Sequence, residues 1–218
     1  MIKAVLFDMN GVIIDDLLIH AIAFNEVLLP YGIGISHKDY LNDYAGRTDR
    51  DGFEDMEKKF ALKLPIGDLL VRKGRAYVNL FPEHKKSFPG VVDLVKKLST
   101  IFVLALTSSA SKSEIELTIN EFKIDSYFKV IVSADDVKHG KPNPEPYQKT
   151  ISLLGFKPDE CVVIEDAKDG IMSAKAAGSF CIAITTTHNR DVLTKADIVV
   201  DSFYEIFEAI GKINKDLT

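Results

Sequence analysis

The chain has no long hydrophobic run among its 218 residues, and it has no tryptophan. Its apolar stretches, such as residues 101–106 and 161–164, are far shorter than the roughly 18 residues that a membrane-spanning helix needs. The apolar start of the chain meets Asp8 too early for a signal peptide, and no cleavage site of small residues follows. We therefore expect no membrane association and a cytoplasmic location.

Basic residues are not in excess either. Lysine and arginine number 27 against 32 aspartates and glutamates, which gives a formal net charge of -5. Binding to a nucleic-acid backbone needs clustered lysine and arginine, whereas the basic pairs at residues 58–59 and 85–86 lie among acidic and apolar residues. We expect a small-molecule partner, no nucleic acid, and a monomer or weak homodimer.

Cysteine is limited to Cys161 and Cys181. A chain of this size without an export signal keeps such residues reduced, so we expect both in the core and not in a disulfide. That core can be large, because 46% of the residues are hydrophobic. This composition excludes an intrinsically disordered chain.

Four short apolar runs end abruptly in polar or small residues, and they are residues 4–7, 102–106, 161–164 and 180–184. Continuous rather than alternating hydrophobicity is typical of strands that are buried on both faces of a parallel sheet. Segments with helical spacing of apolar residues, such as residues 91–98, separate the runs. The alternation predicts an α/β fold with a doubly wound parallel sheet, in which ligands bind beyond the carboxyl ends of the strands.

The stretch between Asp8 and the second strand at Phe102 is much longer than one crossover helix requires. Its residues 16–87 carry apolar side chains at helical spacing and are interrupted by glycine and proline. We therefore predict an all-helical cap domain at residues 16–87, inserted into a catalytic core of residues 1–15 and 88–218. Two adjacent hinges would join the parts and leave a cleft between them.

Polar residues that can do chemistry follow the predicted strands or the loops near them, namely Asp8, Thr107, Ser108, Lys141, Glu165 and Asp166. Three carboxylates at one edge of a sheet offer the hard oxygen ligands that Mg²⁺ prefers. Hydroxyl and backbone N–H groups at residues 107–109 suit phosphate oxygens. A lysine between glycine and prolines, at residues 140–144, can neutralise phosphate charge. These residues predict a site for a phosphorylated ligand and Mg²⁺.

The order of these motifs resembles that of the haloacid dehalogenase superfamily of phosphotransferases. The resemblance rests on Asp-x-x-Gly at 8–11, Thr-Ser-Ser at 107–109, Gly-Lys-Pro-x-Pro at 140–144 and Glu-Asp-x-x-x-Gly at 165–170. The inserted segment is similar to the helical cap of the β-phosphoglucomutase-like and sugar-phosphatase-like branch, with matches at His20, residues 46–48, residues 72–73, Tyr77 and residues 88–91.

The resemblance implies a Rossmann-like core and a Mg²⁺-dependent phosphatase that acts on a small phosphorylated metabolite such as a sugar phosphate. In such an enzyme Asp8 would attack phosphorus, form an aspartyl phosphate and pass the phosphoryl group to water. The metal would bind to Asp8, the main-chain carbonyl of Asn10, Glu165 and Asp166, and the phosphate to Thr107, Ser108 and Lys141.

Asn10 departs from the family pattern, which has a second aspartate at this position. A carboxamide keeps the main-chain carbonyl but cannot transfer a proton, a role that is typically worth roughly 10²–10⁴-fold in rate. One interpretation is a phosphatase whose proton is carried by a neighbour, with Asp15, Asp16 and His20 as candidates. A second is a β-phosphoglucomutase-like phosphotransferase. A third is a catalytically impaired protein that binds phosphorylated ligands.

Three cap residues are candidates for contact with the substrate. His20 lies among apolar neighbours on a predicted helix, where histidine is also a common hydrogen-bonding residue. The resemblance places Arg47 and Lys73 across the cleft, where these cations would bind a second anionic or hydroxylated part of the substrate. Asp169, which follows Asp166 closely, is a candidate for orienting a metal ligand.

Overall fold

The computed structural model describes residues 1–216 and contains one parallel sheet of six strands. In chain order these are β1 Ala4–Phe7, β2 Val103–Thr107, β3 Phe128–Val132, β4 Cys161–Glu165, β5 Phe180–Ile184 and β6 Ile198–Val200. Their spatial order is β3-β2-β1-β4-β5-β6. Every neighbouring pair is parallel. This confirms the predicted α/β fold with its doubly wound sheet.

The apolar pattern predicts four of these strands and misses β3 and β6. Both missed strands lie at the edges of the sheet, where fewer neighbours cover a strand. In β3 the exposed Lys129 interrupts the apolar residues, and Val130 and Ile131 are only partly buried. β6 is three residues long. Neither edge strand therefore forms the long buried run that identifies a central strand.

Nine α-helices occur within residues 1–216, and they are α1 Leu17–Leu28, α2 His37–Asp43, α3 Asp49–Phe60, α4 Ile66–His84, α5 Val91–Ser99, α6 Lys112–Glu121, α7 Glu145–Leu154, α8 Lys168–Ala176 and α9 Phe203–Asp216. Helices α2, α3 and α6 begin after Ser36, Thr48 and Ser111. Each of these hydroxyls accepts a hydrogen bond from a backbone N–H of the first turn. Such caps fix where a helix starts.

The central position of β1 determines where the functional groups meet. In the sheet register, Phe7 lies opposite Leu106 of β2 and Ile164 of β4. The residues that follow these three are Asp8, Thr107 and Glu165. They consequently lie together at the carboxyl edge of the sheet.

Helices α1–α4, called the inserted helices below, have a hydrophobic cluster of their own. Its members include Phe24, Phe53 and Leu69. Helices α1 and α4 also contribute Ile19 and Tyr77 to the main cluster beside the sheet. The inserted helices are therefore packed both on one another and on the rest of the chain.

Two backbone segments connect the inserted helices to the sheet, and they run side by side. Ile14 and Ser87 form an antiparallel bridge. The N–H of Asp15 donates to the carbonyl of Lys86 at 2.8 Å. The chain thus leaves the sheet and returns to it at neighbouring points.

Two further findings concern membrane-spanning helices and the two cysteines. No helix within residues 1–216 has the length and apolar character needed to cross a bilayer. Cys161 of β4 and Cys181 of β5 are both buried and free. The expectation of reduced core cysteines is therefore confirmed.

Candidate active site

A buried lysine links two carboxylates at the carboxyl edge of the central strands. Nζ of Lys141 lies 2.7 Å from Oδ1 of Asp8 and 2.6 Å from Oε1 of Glu165. It also donates to the main-chain carbonyl of Thr107 at 3.3 Å. Burial by itself lowers the pKa of Lys141, but the two carboxylates outweigh it and raise the pKa above its ordinary value. Lys141 is therefore a fixed positive charge beside Asp8.

Both oxygens of Glu165 are occupied as hydrogen-bond acceptors. Oε1 accepts from Lys141 and from the hydroxyl of Tyr147, the latter at 2.9 Å. Oε2 accepts from the backbone N–H groups of Asp166 and Ala167 at 3.0 and 3.2 Å. These bonds hold the carboxylate in one orientation. Glu165 is thus better suited to position Lys141 than to bind a metal ion through a free oxygen.

Asp166 completes a cluster of three buried carboxylates with Asp8 and Glu165, whose ligand oxygens lie within 4.8 Å of one another. Oδ1 of Asp166 has no hydrogen-bond partner among residues 1–216. Burial, and then the Glu165 and Asp8 charges, raise the pKa of Asp166 well above its usual range. Burial also raises the pKa of Asp8 to about 7, although Lys141 opposes this rise. The excess of buried negative charge and the unpaired oxygen fit Mg²⁺, which binds carboxylate oxygens.

Two glycines allow the backbone to approach these carboxylates closely. Gly11 has a φ of 81°, and a Cβ atom there would lie 1.9 Å from Oδ2 of Asp166. A Cβ atom on Gly170 would lie 1.7 Å from Oε1 of Glu165. Only glycine fits at either position. This requirement explains why two of the sequence motifs end in glycine.

The two hydroxyls after β2 have different environments. The Thr107 hydroxyl shares a hydrogen bond of 2.7 Å with the Thr150 hydroxyl on α7. Because side chains alternate in direction along a strand, this hydroxyl lies in the interior, and the role of Thr107 in holding phosphate stays a prediction. Ser108 instead donates to Oδ1 of Asn10 at 3.2 Å and accepts from the N–H of Ala110 at 3.1 Å. Of the two hydroxyls, the one of Ser108 therefore contacts Asn10.

Asn10 lies in a hydrogen-bond network that joins the loop after β1 to helix α1. Its Nδ2 donates to Oδ2 of Asp16 at 2.8 Å and lies 3.1 Å from Nε2 of His20. Asp15 instead faces Lys86 near the surface, with 4.0 Å between its Oδ2 and the lysine Nζ. Of the three ionisable neighbours predicted from sequence, the structure thus brings Asp16 and His20 to Asn10 and leaves Asp15 apart.

Lys73 is buried in the protein, whereas the sequence analysis expected it to face the substrate. Its Nζ lies 2.8 Å from Oδ2 of Asp49, 3.0 Å from Oε1 of Glu114 and 2.7 Å from Nδ1 of His20. Its charge is therefore balanced inside the protein. The sequence pattern did not indicate Asp49 or Glu114 as a partner of Lys73. The sequence feature that could have drawn attention to Glu114 is a Ser-x-x-Glu capping box, which Glu114 forms with Ser111 at the start of α6.

Arg47 lies between the inserted helices and α8. Its Nη1 pairs with Oδ2 of Asp55 at 2.6 Å, and its Nε approaches Oδ2 of Asp169 at 4.0 Å. A narrow pocket is lined by Asp8, Asn10, His20 and Arg47, among other residues. The structure therefore brings these four predicted residues together, while Asp169 contacts the outer side of Arg47.

A larger cavity of about 240 Å³ lies next to this pocket, between the inserted helices and the core. Asp49 and Ser109 line both spaces, so the two are adjacent. The wall of the larger cavity carries charges of both signs, with Arg50 and Lys138 as positive residues and Asp49 as a negative one. The Ser109 hydroxyl donates to the carbonyl of Gly46 at 2.9 Å and ties the two sides together. The cavity is partly open to solvent, and both polar and apolar groups line its wall.

The fold and the site match a known class of hydrolase. The family model described as "Haloacid dehalogenase-like hydrolase" matches residues 5–184. This range runs from the second residue of β1 to the end of β5 and includes all residues of the carboxylate cluster. The chain belongs to the haloacid dehalogenase-like hydrolases, which confirms the resemblance noted from its motifs.

Individual relatives narrow the class. The chain is 30% identical to "Validoxylamine A 7'-phosphate phosphatase" of Streptomyces hygroscopicus subsp. limoneus, over 94% of this chain and 96% of that protein. It is 31% identical to "Phosphorylated carbohydrates phosphatase" of Thermotoga maritima, over 81% and 82%. A β-phosphoglucomutase structure from Clostridium difficile aligns with a TM-score of 0.89 and 28% identity, covering 100% of this chain and 99% of that one. These relatives support an enzyme of the phosphomonoester hydrolase and phosphoryl-transfer class.

Proposed function

We propose that the protein is a Mg²⁺-dependent phosphatase of small phosphorylated metabolites, with sugar phosphates as the preferred class. The observation that carries this proposal is the buried cluster of Asp8, Glu165 and Asp166 with Lys141 at the carboxyl edge of the sheet. In this proposal residues 1–15 and 88–218 form the catalytic core, and residues 16–87 form a cap over the cleft.

Asp8 is the nucleophile in the proposed reaction. One of its carboxylate oxygens bonds to phosphorus while the bond from phosphorus to the leaving oxygen breaks, which gives an aspartyl phosphate. Lys141 lies 2.7 Å from Oδ1 of Asp8 and offsets the repulsion between the carboxylate and the approaching phosphoryl group. Mg²⁺, when bound by Asp8 and Asp166, supplies further positive charge to the phosphoryl oxygens.

Water then attacks phosphorus, the bond from phosphorus to Asp8 breaks, and inorganic phosphate leaves. In the two steps together, the leaving oxygen gains a proton and the attacking water loses one. The carboxamide of Asn10 can do neither. His20 lines the same narrow pocket, and Asp16 lies behind Asn10, so these two are the nearest candidates to carry the proton.

The 240 Å³ cavity is the proposed place for the leaving group of the substrate. It opens beside the pocket that contains Asp8, and its hydroxyls and charges of both signs can bind a polyol. The contact between Ser109 and Gly46 supports a closed arrangement in which the inserted helices keep water away from the reaction.

Two alternatives have specific support. The likeness to β-phosphoglucomutase over the whole chain favours transfer of the phosphoryl group to a second sugar hydroxyl. The hydrogen-bonded carboxamide of Asn10 favours a protein that binds phosphorylated ligands with little turnover. A phosphatase accumulates free phosphate, a mutase accumulates an isomeric phosphosugar, and a binding protein accumulates neither.

The test is phosphate release with Mg²⁺ from hexose phosphates, pentose phosphates, nucleoside monophosphates, pyrophosphate and phosphoglycolate. We expect the fastest release from a sugar phosphate, and its loss when Mg²⁺ is chelated. The Asp8→Asn variant should release no phosphate, because the amide cannot form the intermediate. Turnover by Asp8→Asn equal to that of the unmodified protein would contradict the assignment of the nucleophile.

Asp15→Asn is the matched control for this test. Asp15 also precedes α1 and loses the same charge, but it faces Lys86 near the surface. This variant should release phosphate at close to the normal rate. If no compound on the panel is hydrolysed but one of them raises the melting temperature of the protein, the ligand-binding alternative replaces the phosphatase.

A further inference from the structure

Asp16 is a fully buried carboxylate surrounded by hydrogen-bond donors. Its Oδ2 accepts from Nδ2 of Asn10 at 2.8 Å and from the hydroxyl of Tyr77 at 2.5 Å. Nε2 of His20 lies 3.4 Å from the same oxygen. Its Oδ1 has no hydrogen-bond partner among residues 1–216. A carboxylate oxygen accepts hydrogen bonds, so the donors of Asn10 and Tyr77 hold the Asp16 side chain in one position.

Lys73 determines which nitrogen of His20 carries the hydrogen. Its ammonium group can only donate, and it lies 2.7 Å from Nδ1 of His20. Nδ1 is therefore the acceptor, and Nε2 bears the hydrogen. On that side Nδ2 of Asn10 lies 3.1 Å away and Oδ2 of Asp16 lies 3.4 Å away, and of these two atoms only the carboxylate oxygen can accept. The Nε2 side of His20 therefore faces both members of the contact between Asn10 and Asp16.

The carboxamide of Asn10 is oriented by partners on both sides. Ser108 donates to its Oδ1 at 3.2 Å, and its Nδ2 donates to Asp16 at 2.8 Å. Turning the amide over would place its oxygen against the oxygen of Asp16. The negative charge of Asp16 therefore selects one orientation for Asn10, with the oxygen toward Ser108.

An aspartate at position 10 cannot make the same contacts. Its second oxygen would take the place of Nδ2 and lie about 2.8 Å from the Asp16 oxygen. Two carboxylates at such a distance do not both stay ionised. Asparagine at position 16 restores the hydrogen bond with its direction reversed, because the amide at position 16 then donates to an aspartate at position 10.

We infer that Asp16 is a positioning residue for Asn10, and that positions 10 and 16 form a reciprocal pair that accommodates one carboxylate and one amide. The inference rests on the proposed function in one respect: residue 10 lies in the pocket of the reaction. The pair predicts that Asn10→Asp alone does not equip the site for proton transfer. The exchange of both residues, Asn10→Asp with Asp16→Asn, does so.

Four proteins test the pair: the unmodified chain, Asn10→Asp, Asp16→Asn and the double exchange. We expect each single variant to melt roughly 5 °C lower, and the double exchange to melt within about 2 °C of the unmodified chain. With glucose 6-phosphate and p-nitrophenyl phosphate in Mg²⁺, we expect kcat of Asn10→Asp to rise less than about tenfold. The double exchange should raise kcat by about 10²-fold or more, with KM changed little.

The matched control combines Asn10→Asp with Asp15→Asn. It removes one carboxylate at the neighbouring position, where the side chain does not contact Asn10. It should melt like Asn10→Asp alone, because Asp16 is bonded to residue 10 and Asp15 is not. Equal rescue by the two double variants would overturn the inference, since the effect would then be one of net charge. Full stability and turnover in Asn10→Asp alone would also overturn it.

The melting temperatures separate this inference from the proposed function. If none of the proteins hydrolyses phosphate esters, the proposed phosphatase is wrong. The melting temperatures of the single and double variants still show whether residues 10 and 16 form a reciprocal pair. If the effects of the two single variants on melting simply add in the double exchange, the pair is wrong even when phosphate is released.

Discussion

Lys73 donates a hydrogen bond of 2.7 Å to Nδ1 of His20, although the two residues are 53 positions apart in the chain. The same ammonium group pairs with Asp49 at 2.8 Å and with Glu114 at 3.0 Å. Asp49, His20 and Lys73 belong to the inserted helices, whereas Glu114 belongs to α6 of the core. A buried ionic cluster therefore joins the two sides of the cleft next to the cavity.

Glu114→Gln tests the strength of this cluster. Burial alone would raise the pKa of Glu114, but the Lys73 charge and the hydrogen bonds from Lys73 and the Ser111 backbone lower it from 4.5 to about 2. A depressed pKa stabilises the fold fully above the unfolded-state value, and the stabilisation is lost as the pH falls toward 2. We expect the variant to lose roughly 3 kcal/mol of unfolding free energy at pH 7. The difference from the unmodified protein should shrink between pH 5 and pH 2.

Urea unfolding at pH 7, 5 and 3 measures this difference. Glu116→Gln is the control, because Glu116 lies on the same helix, with an exposed side chain. That substitution should change stability by less than about 0.5 kcal/mol at each pH. A loss in Glu114→Gln that is the same at pH 7 and pH 3 would show that the carboxylate is not the source of the stabilisation.

Lys141→Met removes the single ammonium group from the carboxylate cluster. It leaves Asp8 and Glu165 buried without their common partner, which costs about 3–5 kcal/mol when one member of a buried pair is lost. We expect lower stability in urea unfolding and no detectable phosphate release. Lys129→Met on the edge strand β3 should leave both nearly unchanged, because Lys129 is exposed. A fully stable Lys141→Met protein would contradict the role given to this charge.

Asp166→Asn should raise the melting temperature in the absence of metal and weaken the stabilisation by added Mg²⁺. In chelator the variant should melt at a higher temperature than the unmodified protein, because one of three crowded carboxylates is neutralised. Added Mg²⁺ should raise the melting temperature of the unmodified protein by mass action and that of the variant much less. Thermal unfolding in EDTA and in a Mg²⁺ series measures both effects. Asp169→Asn should respond to Mg²⁺ like the unmodified protein, and a normal response in Asp166→Asn would remove Asp166 from the ligand set.

Gly140→Ala should hold the cleft open. A Cβ atom at this position would lie 2.5 Å from Cγ2 of Thr48 on the inserted side. We expect KM for the preferred substrate to rise several-fold and the inserted helices to become more sensitive to limited proteolysis. Adding Thr48→Ser should reverse part of both effects, since serine lacks Cγ2 but keeps the hydroxyl that caps α3. Oδ2 of Asp51 would still lie 2.9 Å from the new Cβ atom. Gly211→Ala on α9 is the control, because a Cβ atom there meets no neighbour. If Thr48→Ser gives no rescue, the contact with Thr48 is not the cause.

The central part of the fold is predictable because its strands are buried on both faces and read as continuous apolar runs. β1 and β4 are examples. The edge strands β3 and β6 are not, since partial exposure and short length remove that signal. The order of the strands in the sheet also brought Asp8 and Glu165 together, as the rule for parallel sheets requires.

Side-chain direction is the part of the site that the sequence did not reveal. The motif at residues 107–109 contains three adjacent hydroxyls, and only the structure shows that Thr107 bonds inward to Thr150 while Ser108 reaches Asn10. The sequence also does not show whether a lysine beside a cleft points into the cleft or into the interior. Lys73 was expected to face substrate, but the carboxylates of Asp49 and Glu114, which are distant from it in sequence, hold it in the interior.

The paired connections at Ile14 and Ser87 limit how the inserted helices can move. A body attached at two neighbouring points rotates most easily about the line that joins them, and the hydrogen bond between Asp15 and Lys86 keeps those points together. Twisting and sliding would break this bond, whereas rotation would not. We therefore expect the inserted helices to swing along a single arc, so that substrate enters and product departs through the same mouth of the cavity.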